Sequence, residues 1–128
     1  MTFLWAWGPA LIWMAVTFYL SHQSGIAIPL GAPDYMAHGV GYAGLGALLM
    51  RALAGGHLSA MSWRWVLVAT VLGGLYGVSD EFHQSFVPNR YPSVSDVVAD
   101  TVGSLVGACG AAIAGGWLRR RQNGPMRQ

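Results

Sequence analysis

The chain has 128 residues, of which 54% are hydrophobic and only 9% are charged, and its formal net charge is +2. Soluble domains carry roughly 25% charged residues, so this composition excludes an ordinary water-soluble surface. The small net charge also excludes the strong positive potential of a nucleic-acid interface. The single cysteine, Cys109, excludes an internal disulfide, and we interpret it as a packing residue.

Four apolar segments are long enough to cross a bilayer, which requires about 20 mostly apolar residues. In chain order they are Phe3 to Leu20, Tyr35 to Leu53, Trp63 to Gln84 and Val94 to Trp117. The first segment has no basic start and exceeds the roughly 7–15 residues of a signal core, so we expect a retained helix. Short connections with Pro and Gly join the segments. The sequence therefore predicts one all-α domain over residues 1–128, a membrane four-helix bundle.

The arginines predict the orientation of this bundle, because short cytoplasmic loops carry an excess of positive charge. Arg51 and Arg64 flank the second connection, and four more arginines lie from 119 to 127, which leaves Arg90 alone on the other side. We therefore expect a multi-pass protein of the cell membrane, with both termini in the cytoplasm. A tryptophan belt at the arginine side agrees with this, formed by Trp5, Trp7, Trp63, Trp65 and Trp117.

All five acidic residues fall at the predicted outer ends of the second, third and fourth helices. They are Asp34, Asp80, Glu81, Asp96 and Asp100, and His38, Gln84 and Arg90 lie at the same ends. Residues four apart share a helix face, so Asp34 with His38, Asp80 with Gln84, and Asp96 with Asp100 each form one polar edge. A charge at bilayer depth costs a few kcal/mol unless it is paired or hydrated. The cluster is therefore the candidate functional site.

Glycines indicate where these polar edges point, because small residues let membrane helices approach closely. Gly103 and Gly107 continue the Asp100 stripe, Gly73 and Gly77 precede Asp80, and Gly41 follows His38. If the glycine faces are contact faces, the carboxylates point into a pocket among the second, third and fourth helices. The same glycines could instead join copies of the chain in a homo-oligomer, and both interpretations stay open.

Some of these polar residues also have a purely structural interpretation. Ser93 with Asp96 fits a capping box, and Asp34 could cap the second helix. Asp100 lies roughly 10 Å further along its helix than the cap, too far for such a role. We interpret His22 and His57 as loop residues, and His83 as either a loop residue or a neighbour of the site.

Two segments resemble the VanZ-like family of integral membrane proteins. The stretch Pro33-Asp34-Tyr35-Met36-Ala37-His38 is similar to the family's D-K-x-x-H-F element. The run from Asp80 to Gly107 is similar to its D-E-x-x-Q-x-F-x-P-x-R-x-x-S-x-x-D-x-x-x-N-x-x-G-x-x-x-G block. Tyr35 stands where the family usually has Lys, and Asp100 where it usually has Asn. The family is named for a teicoplanin-resistance protein, so the resemblance implies a role in the cell envelope and in glycopeptide resistance.

Several functions are compatible with this site. An enzyme acting on the head of a lipid-linked substrate would use His38 as general base, oriented by Asp34, with Arg90 holding an anionic group. The acid cluster could instead hold a divalent-cation cofactor such as Mg²⁺ or Ca²⁺. A non-catalytic scaffold would bind a cell-wall precursor without turnover. A transporter fits less well, because its polar groups would be expected at mid-depth.

Overall fold

The computed structural model of the chain describes residues 3–23 and 34–123. Within these residues the protein contains only helices and their connections. The four α-helices are α1 (Phe3–Ser21), α2 (Asp34–Leu53), α3 (Val66–Gln84) and α4 (Val94–Gln122). Two short 3₁₀ turns, Leu58–Ala60 and Trp63–Trp65, connect α2 to α3. The predicted all-α fold of four helices is confirmed.

Two helix boundaries differ from the prediction. α3 begins at Val66 rather than at Trp63, because Trp63–Trp65 forms a 3₁₀ turn that precedes it. α4 continues beyond Trp117 to Gln122, since leucine and arginine are good helix formers. Arg119 also ties this extension to the α2–α3 connection, where it donates hydrogen bonds to backbone carbonyl groups.

α2 and α4 run in the same direction and make the closest helix contact of the bundle. A Cβ atom added at Gly103 or Gly107 would overlap the backbone of α2 at Gly39 or Ala43. A Cβ atom at Gly46 would likewise overlap the backbone of Ser104. We call Gly46, Gly103 and Gly107 the glycine seam. Only glycine allows the two backbones to lie at this distance.

α3 packs antiparallel to α4 through its own glycines. Gly73 lies against the side chain of Ser104, and Gly77 lies against the side chain of Asp100. The glycine faces predicted for the third and fourth helices are therefore internal contact faces. The prediction for Gly41 is wrong, because no heavy atom lies within 4 Å of a Cβ atom at that position. Gly41 borders a cavity instead.

α1 packs on α2 and α3 through polar contacts with backbone oxygens. The indole Nε1 of Trp13 donates to the Gly41 carbonyl oxygen at 2.9 Å. The Tyr76 hydroxyl of α3 donates to the Met14 carbonyl oxygen at 2.6 Å. These contacts set the rotation of α1, so that one face of it is turned toward the space between α2 and α3.

The outward faces of the helices are apolar. Leu4, Val40, Leu67 and Val94 each expose more than two thirds of their surface. Two helices, Phe3–Ser21 and Val94–Gln122, are long and apolar enough to cross a membrane. Among the described residues α2 and α3 do not meet the same standard, because α2 carries polar groups with four glycines and α3 carries two carboxylates.

The bundle has two chemically distinct ends. The acid end comprises the C-termini of α1 and α3, the N-termini of α2 and α4, and the α3–α4 connection. The arginine end comprises the opposite helix termini and the α2–α3 connection. Arg51 illustrates the second, since its guanidinium donates to the Trp5 and Ala6 carbonyl oxygens and lies over the Trp5 ring. This is the separation of charge that the sequence predicts, with Arg127 outside the described residues.

Candidate functional site at the acid end

His38 and Asp100 form a buried pair at the acid end. The His38 Nδ1 atom lies 3.0 Å from Asp100 Oδ1, across the parallel α2–α4 contact. The Asp100 side chain is completely buried and that of His38 is 9% exposed. An ionised carboxylate only accepts hydrogen bonds, so with Asp100 ionised the imidazole donates its Nδ1 hydrogen and carries its lone pair on Nε2.

Gln84 links the ends of α1 and α3. Its Nε2 atom donates to the Ser21 hydroxyl at 2.7 Å and makes a longer contact of 3.4 Å with Asp80 Oδ2. The predicted Asp80–Gln84 edge is therefore present, and it faces α1. All three side chains are buried.

Glu81 connects α3 to the start of α4. Its Oε2 atom accepts a hydrogen bond from the Ser93 amide at 2.7 Å. Ser93 is the N-cap of α4, and its hydroxyl accepts from the Ser95 amide at 3.2 Å. Ser93 is therefore the N-cap of α4, but these contacts do not form the predicted capping box with Asp96. The Ser93 hydroxyl accepts from Ser95, and the Ser93 amide donates to Glu81 of α3.

Three buried carboxylate oxygens have no hydrogen-bond partner among residues 3–23 and 34–123. They are Asp80 Oδ1, Glu81 Oε1 and Asp100 Oδ2. The side chains that carry them expose 5% of their surface or less. Buried polar atoms without a partner are rare in proteins and are costly. These oxygens therefore indicate a site arranged for something other than fold stability.

A cavity of about 290 Å³ opens beside this cluster. Its polar lining includes His38, Asp80 and Arg90, and its apolar lining comes largely from α1 and α2. The sequence predicts a pocket among the second, third and fourth helices. The cavity is instead walled by α1, which the prediction left out, while Glu81, Gln84, Asp96 and Asp100 lie behind its surface.

The α3–α4 connection holds Arg90 at the cavity by a series of tight turns. The Val87 amide donates to the Gln84 carbonyl oxygen, and the Arg90 amide donates to the Val87 carbonyl oxygen. Between them Asn89 adopts a positive φ of 62°, a conformation that asparagine tolerates better than most residues. The single arginine of this end therefore lines the same cavity as the buried Asp80.

The remaining two predicted site residues are placed less fully. Asp96 is buried in the first turn of α4, four residues before Asp100. Asp34 is the first residue of α2, and its side chain lies outside the described part of the structure. His38 contacts Asp100, and the predicted contact between Asp34 and His38 lies outside the described side chains.

One face of α1 lines the cavity, although the sequence does not predict α1 as part of the site. Trp13, Thr17 and Ser21 lie four residues apart and all line the cavity. This spacing places polar atoms on one face of an otherwise apolar helix, which is the signal that could have revealed the wall. Tyr42 of α2 also lines the cavity, and its buried hydroxyl has no hydrogen-bond partner in the described residues.

The other histidines lie apart from the cavity. His22 Nδ1 is 3.1 Å from His83 Nε2, so these two residues join the ends of α1 and α3 at the surface. His57 is an exposed residue of the α2–α3 connection at the arginine end, as its interpretation as a loop residue requires. His83 is therefore a neighbour of the site rather than part of its lining.

A protein-family model described as VanZ/LLP1 matches residues 6–115, a range that includes the cavity lining and the buried acids. The chain belongs to the VanZ/LLP1 family. No curated protein and no solved structure matches it. VanZ/LLP1 membership, together with the two long apolar helices, indicates a membrane protein. The resemblance seen in the sequence is thus confirmed at the level of the family.

Proposed function

We propose that this VanZ/LLP1 protein is a multi-pass membrane protein that binds the polar head of a lipid-linked cell-envelope precursor in the acid-end cavity. The observation that carries the proposal is the composition of the cavity wall. Apolar side chains of α1 and α2 meet His38, Asp80 and Arg90 in one space of about 290 Å³. A lipid with an anionic head needs this combination of surfaces.

Arg90 supplies the charge complementarity for the head group. Guanidinium groups bind phosphate oxygens in a fixed, charge-assisted geometry. The tight turns of the α3–α4 connection hold this arginine at the cavity lining. The apolar lining residues Val16 and Leu20 of α1 would then contact the first part of the lipid tail.

All four helices span the membrane in this proposal, and the acid end faces away from the cytoplasm. The apolar outer faces of α2 and α3 support it, because Val40 and Leu67 are among the most exposed residues of the chain. The arginines support the orientation, since Arg51, Arg64 and Arg119 all lie at the opposite end. A cell-envelope precursor on the outer leaflet would then have direct access to the cavity.

Lipid binding is tested with the purified chain in detergent micelles, by native mass spectrometry with a polyprenyl phosphate and the matching polyprenol. We expect about a tenfold preference for the phosphate, which corresponds to about 1.4 kcal/mol. Arg90→Gln should abolish the preference and Arg90→Lys should retain part of it. The matched control is Arg64→Gln at the arginine end, which should leave the preference intact.

Equal binding of the phosphate and the alcohol by the unmodified chain would contradict the proposal. So would an equal loss of preference in Arg64→Gln and Arg90→Gln. Melting temperatures of the variants are measured alongside, so that loss of the fold is distinguished from loss of the head-group contact.

Orientation is tested by thiol labelling in a Cys109→Ala background. Tyr91 at the acid end and Leu58 at the arginine end are both exposed, with 85% and 52% of their surface accessible. In intact cells a membrane-impermeant reagent should label Tyr91→Cys, and it should label Leu58→Cys only after permeabilisation. The reverse pattern would invert the proposed orientation.

A second candidate function is proton transfer at the bound head group, and the His38–Asp100 hydrogen bond favours it. With Asp100 ionised and its carboxylate accepting the Nδ1 hydrogen, the proton-accepting lone pair of the imidazole is on Nε2. General acid–base catalysis of this kind contributes about 10²–10⁴ in rate. In hydrolysis of a polyprenyl diphosphate, His38 would take a proton from the water that attacks the terminal phosphorus, and the polyprenyl phosphate would leave. Phosphate release should therefore fall by about that factor in His38→Ala. Lipid binding without any release would leave a non-catalytic binding protein.

A further inference from the structure

His38, Glu81 and Asp100 bring three metal-ligating side chains to one point in the acid end. Each offers one ligand atom, and these atoms all lie within 4.8 Å of one another. The three residues come from three different helices, α2, α3 and α4, so the grouping is a product of the tertiary fold. Ligands about 2.1 Å from a tetrahedral metal lie about 3.4 Å apart, so rotation of these side chains would have to bring the three atoms closer together around an ion.

The buried carboxylate oxygens give an independent reason to expect an ion there. Glu81 Oε1 and Asp100 Oδ2 accept no hydrogen bond from any described residue. Both side chains are at least nine-tenths buried. Glu81 and Asp100 already use their other oxygens, for the Ser93 amide and for His38. The free oxygens are thus available to a cation without breaking either contact.

The donor set selects a class of metal. Carboxylate oxygens suit Mg²⁺, Ca²⁺ and Mn²⁺, whereas an imidazole nitrogen favours later first-row transition ions such as Zn²⁺. A mixed set of two carboxylates and one imidazole therefore suits Zn²⁺ and can also hold Mn²⁺. Three protein ligands with one position left for water or substrate is the arrangement of catalytic metal sites. His38 also lines the cavity, which provides an entry path.

We propose that His38, Glu81 and Asp100 bind one divalent transition-metal ion at the acid end. This goes beyond the proposed function, because metal binding requires no lipid. A bound ion also changes the role of His38, since a nitrogen that coordinates a metal cannot accept a proton. The ion would then lie directly beside the cavity that Arg90 lines.

The test uses the full chain in detergent micelles, purified without a histidine tag. The chain has four histidines, so the triple variant His22→Gln, His57→Gln, His83→Gln leaves His38 as the only imidazole. After treatment with a chelator, this variant is dialysed against Zn²⁺ or Mn²⁺, and the bound metal is measured by mass spectrometry. We expect one ion per chain, as in the parent protein.

Pulsed electron paramagnetic resonance of the Mn²⁺-loaded triple variant provides a signature of the ligands. Coupling of Mn²⁺ to an imidazole nitrogen should be present, and in this variant it can come only from His38. This measurement needs no substitution within the site, so it holds even where such a substitution disturbs folding.

Substitutions in the triple-variant background then identify the carboxylate ligands. Glu81→Gln and Asp100→Asn should each weaken Zn²⁺ binding by about 100-fold or more, since even an outer-shell partner changes metal affinity by about 10–100-fold. Ser79→Ala, which changes an exposed residue of α3, is the matched control and should bind Zn²⁺ as the background does.

The proposal is overturned if the parent chain retains neither Zn²⁺ nor Mn²⁺, or if bound Mn²⁺ shows no imidazole coupling. Unchanged Zn²⁺ affinity in folded Glu81→Gln and Asp100→Asn would overturn it too. Lipid binding is measured separately in the presence of chelator, so a failure of metal binding is distinguishable from a failure of head-group binding.

Discussion

The two ends of the bundle treat their charged side chains in opposite ways. At the arginine end, Arg119 donates to the Ser59 and Met61 carbonyl oxygens at 2.6 and 2.5 Å, and so closes the α2–α3 connection onto α4. At the acid end, Asp80, Glu81 and Asp100 each bury an oxygen that no described residue contacts. The guanidinium of Arg119 is thus hydrogen-bonded, whereas each of these three carboxylates keeps one buried oxygen without a partner. Two neutral groups at the arginine end, Ser62 Oγ and Trp65 Nε1, also lack a partner among the described residues.

This difference assigns a stabilising role to the hydrogen bonds of Arg119, and it supports the proposed functional role of the buried carboxylates. Hydrogen bonds from a charged donor to backbone carbonyl groups contribute to folding, whereas buried carboxylates without partners oppose it. Proteins retain such costs mainly where activity requires them. Removing the Arg119 side chain should therefore lower the free energy of unfolding, whereas neutralising a buried carboxylate without removing its hydrogen-bond acceptor should raise it.

The largest effect is expected at the glycine seam, on which both ends depend. Gly107→Val places a side chain against the α2 backbone at Ala43 and should lower the free energy of unfolding by about 3 kcal/mol. Gly110→Val on the same helix has no heavy atom within 4 Å and should change it by about 0.5 kcal/mol or less. Unfolding by SDS in mixed micelles measures both. Equal losses would mean that the seam does not hold the ends together.

Arg119→Ala should give the next largest loss, about 2 kcal/mol, because two charge-assisted hydrogen bonds disappear. Arg120→Ala, which changes an exposed neighbour on the same turn, is the control and should have little effect. The same SDS titration separates them. A loss in Arg119→Ala no larger than in Arg120→Ala would remove the arginine end's role in stability.

Asp100→Asn should change stability in the opposite direction, with a gain of about 1 kcal/mol in metal-free protein. The amide oxygen can still accept the His38 hydrogen while the buried charge is removed. Asp100→Ala is the contrasting variant and should lose stability, since it leaves His38 without this acceptor. Melting temperatures in the presence of chelator decide the matter. A clear loss in Asp100→Asn would show that the carboxylate supports the fold.

Ser93→Ala should have the smallest effect, about 0.5 kcal/mol, at the low end of the range for an N-cap. It tests whether the carboxylates are the only acid-end groups that destabilise the fold, because the Ser93 hydroxyl has an ordinary capping role. Ser93→Asn should restore most of the loss. A gain in stability on removing the hydroxyl would mean that polar groups of the acid end other than the carboxylates also destabilise the fold.

The local features of this structure could be predicted from the sequence, and the pairings could not. Apolar runs and four-residue spacings depend on neighbours along one helix, so the helices and the Asp80–Gln84 edge were within reach. The His38–Asp100 pair joins residues 62 positions apart. Its formation depends on the axial offset between α2 and α4, and no local sequence pattern encodes that offset.

The glycines show the same limit within one helix. Gly39 and Gly41 lie two residues apart on α2, yet Gly39 meets α4 and Gly41 faces the cavity. A difference of two residues is about 200° of rotation around a helix. The composition of α2 reveals that some glycine lies in a contact, and only the position of α4 reveals which one.

The glycine seam also fixes the distance between α2 and α4 at the His38–Asp100 pair. Because the main chains of α2 and α4 are in contact at Gly103 and Gly107, the spacing of these two helices is set by the backbone and not by the size of a side chain. The distance available to any pair of groups at positions 38 and 100 is therefore inherited from the main chain. Substituting residue 38 or 100 should therefore change which chemical groups face each other while the spacing of α2 and α4 stays the same.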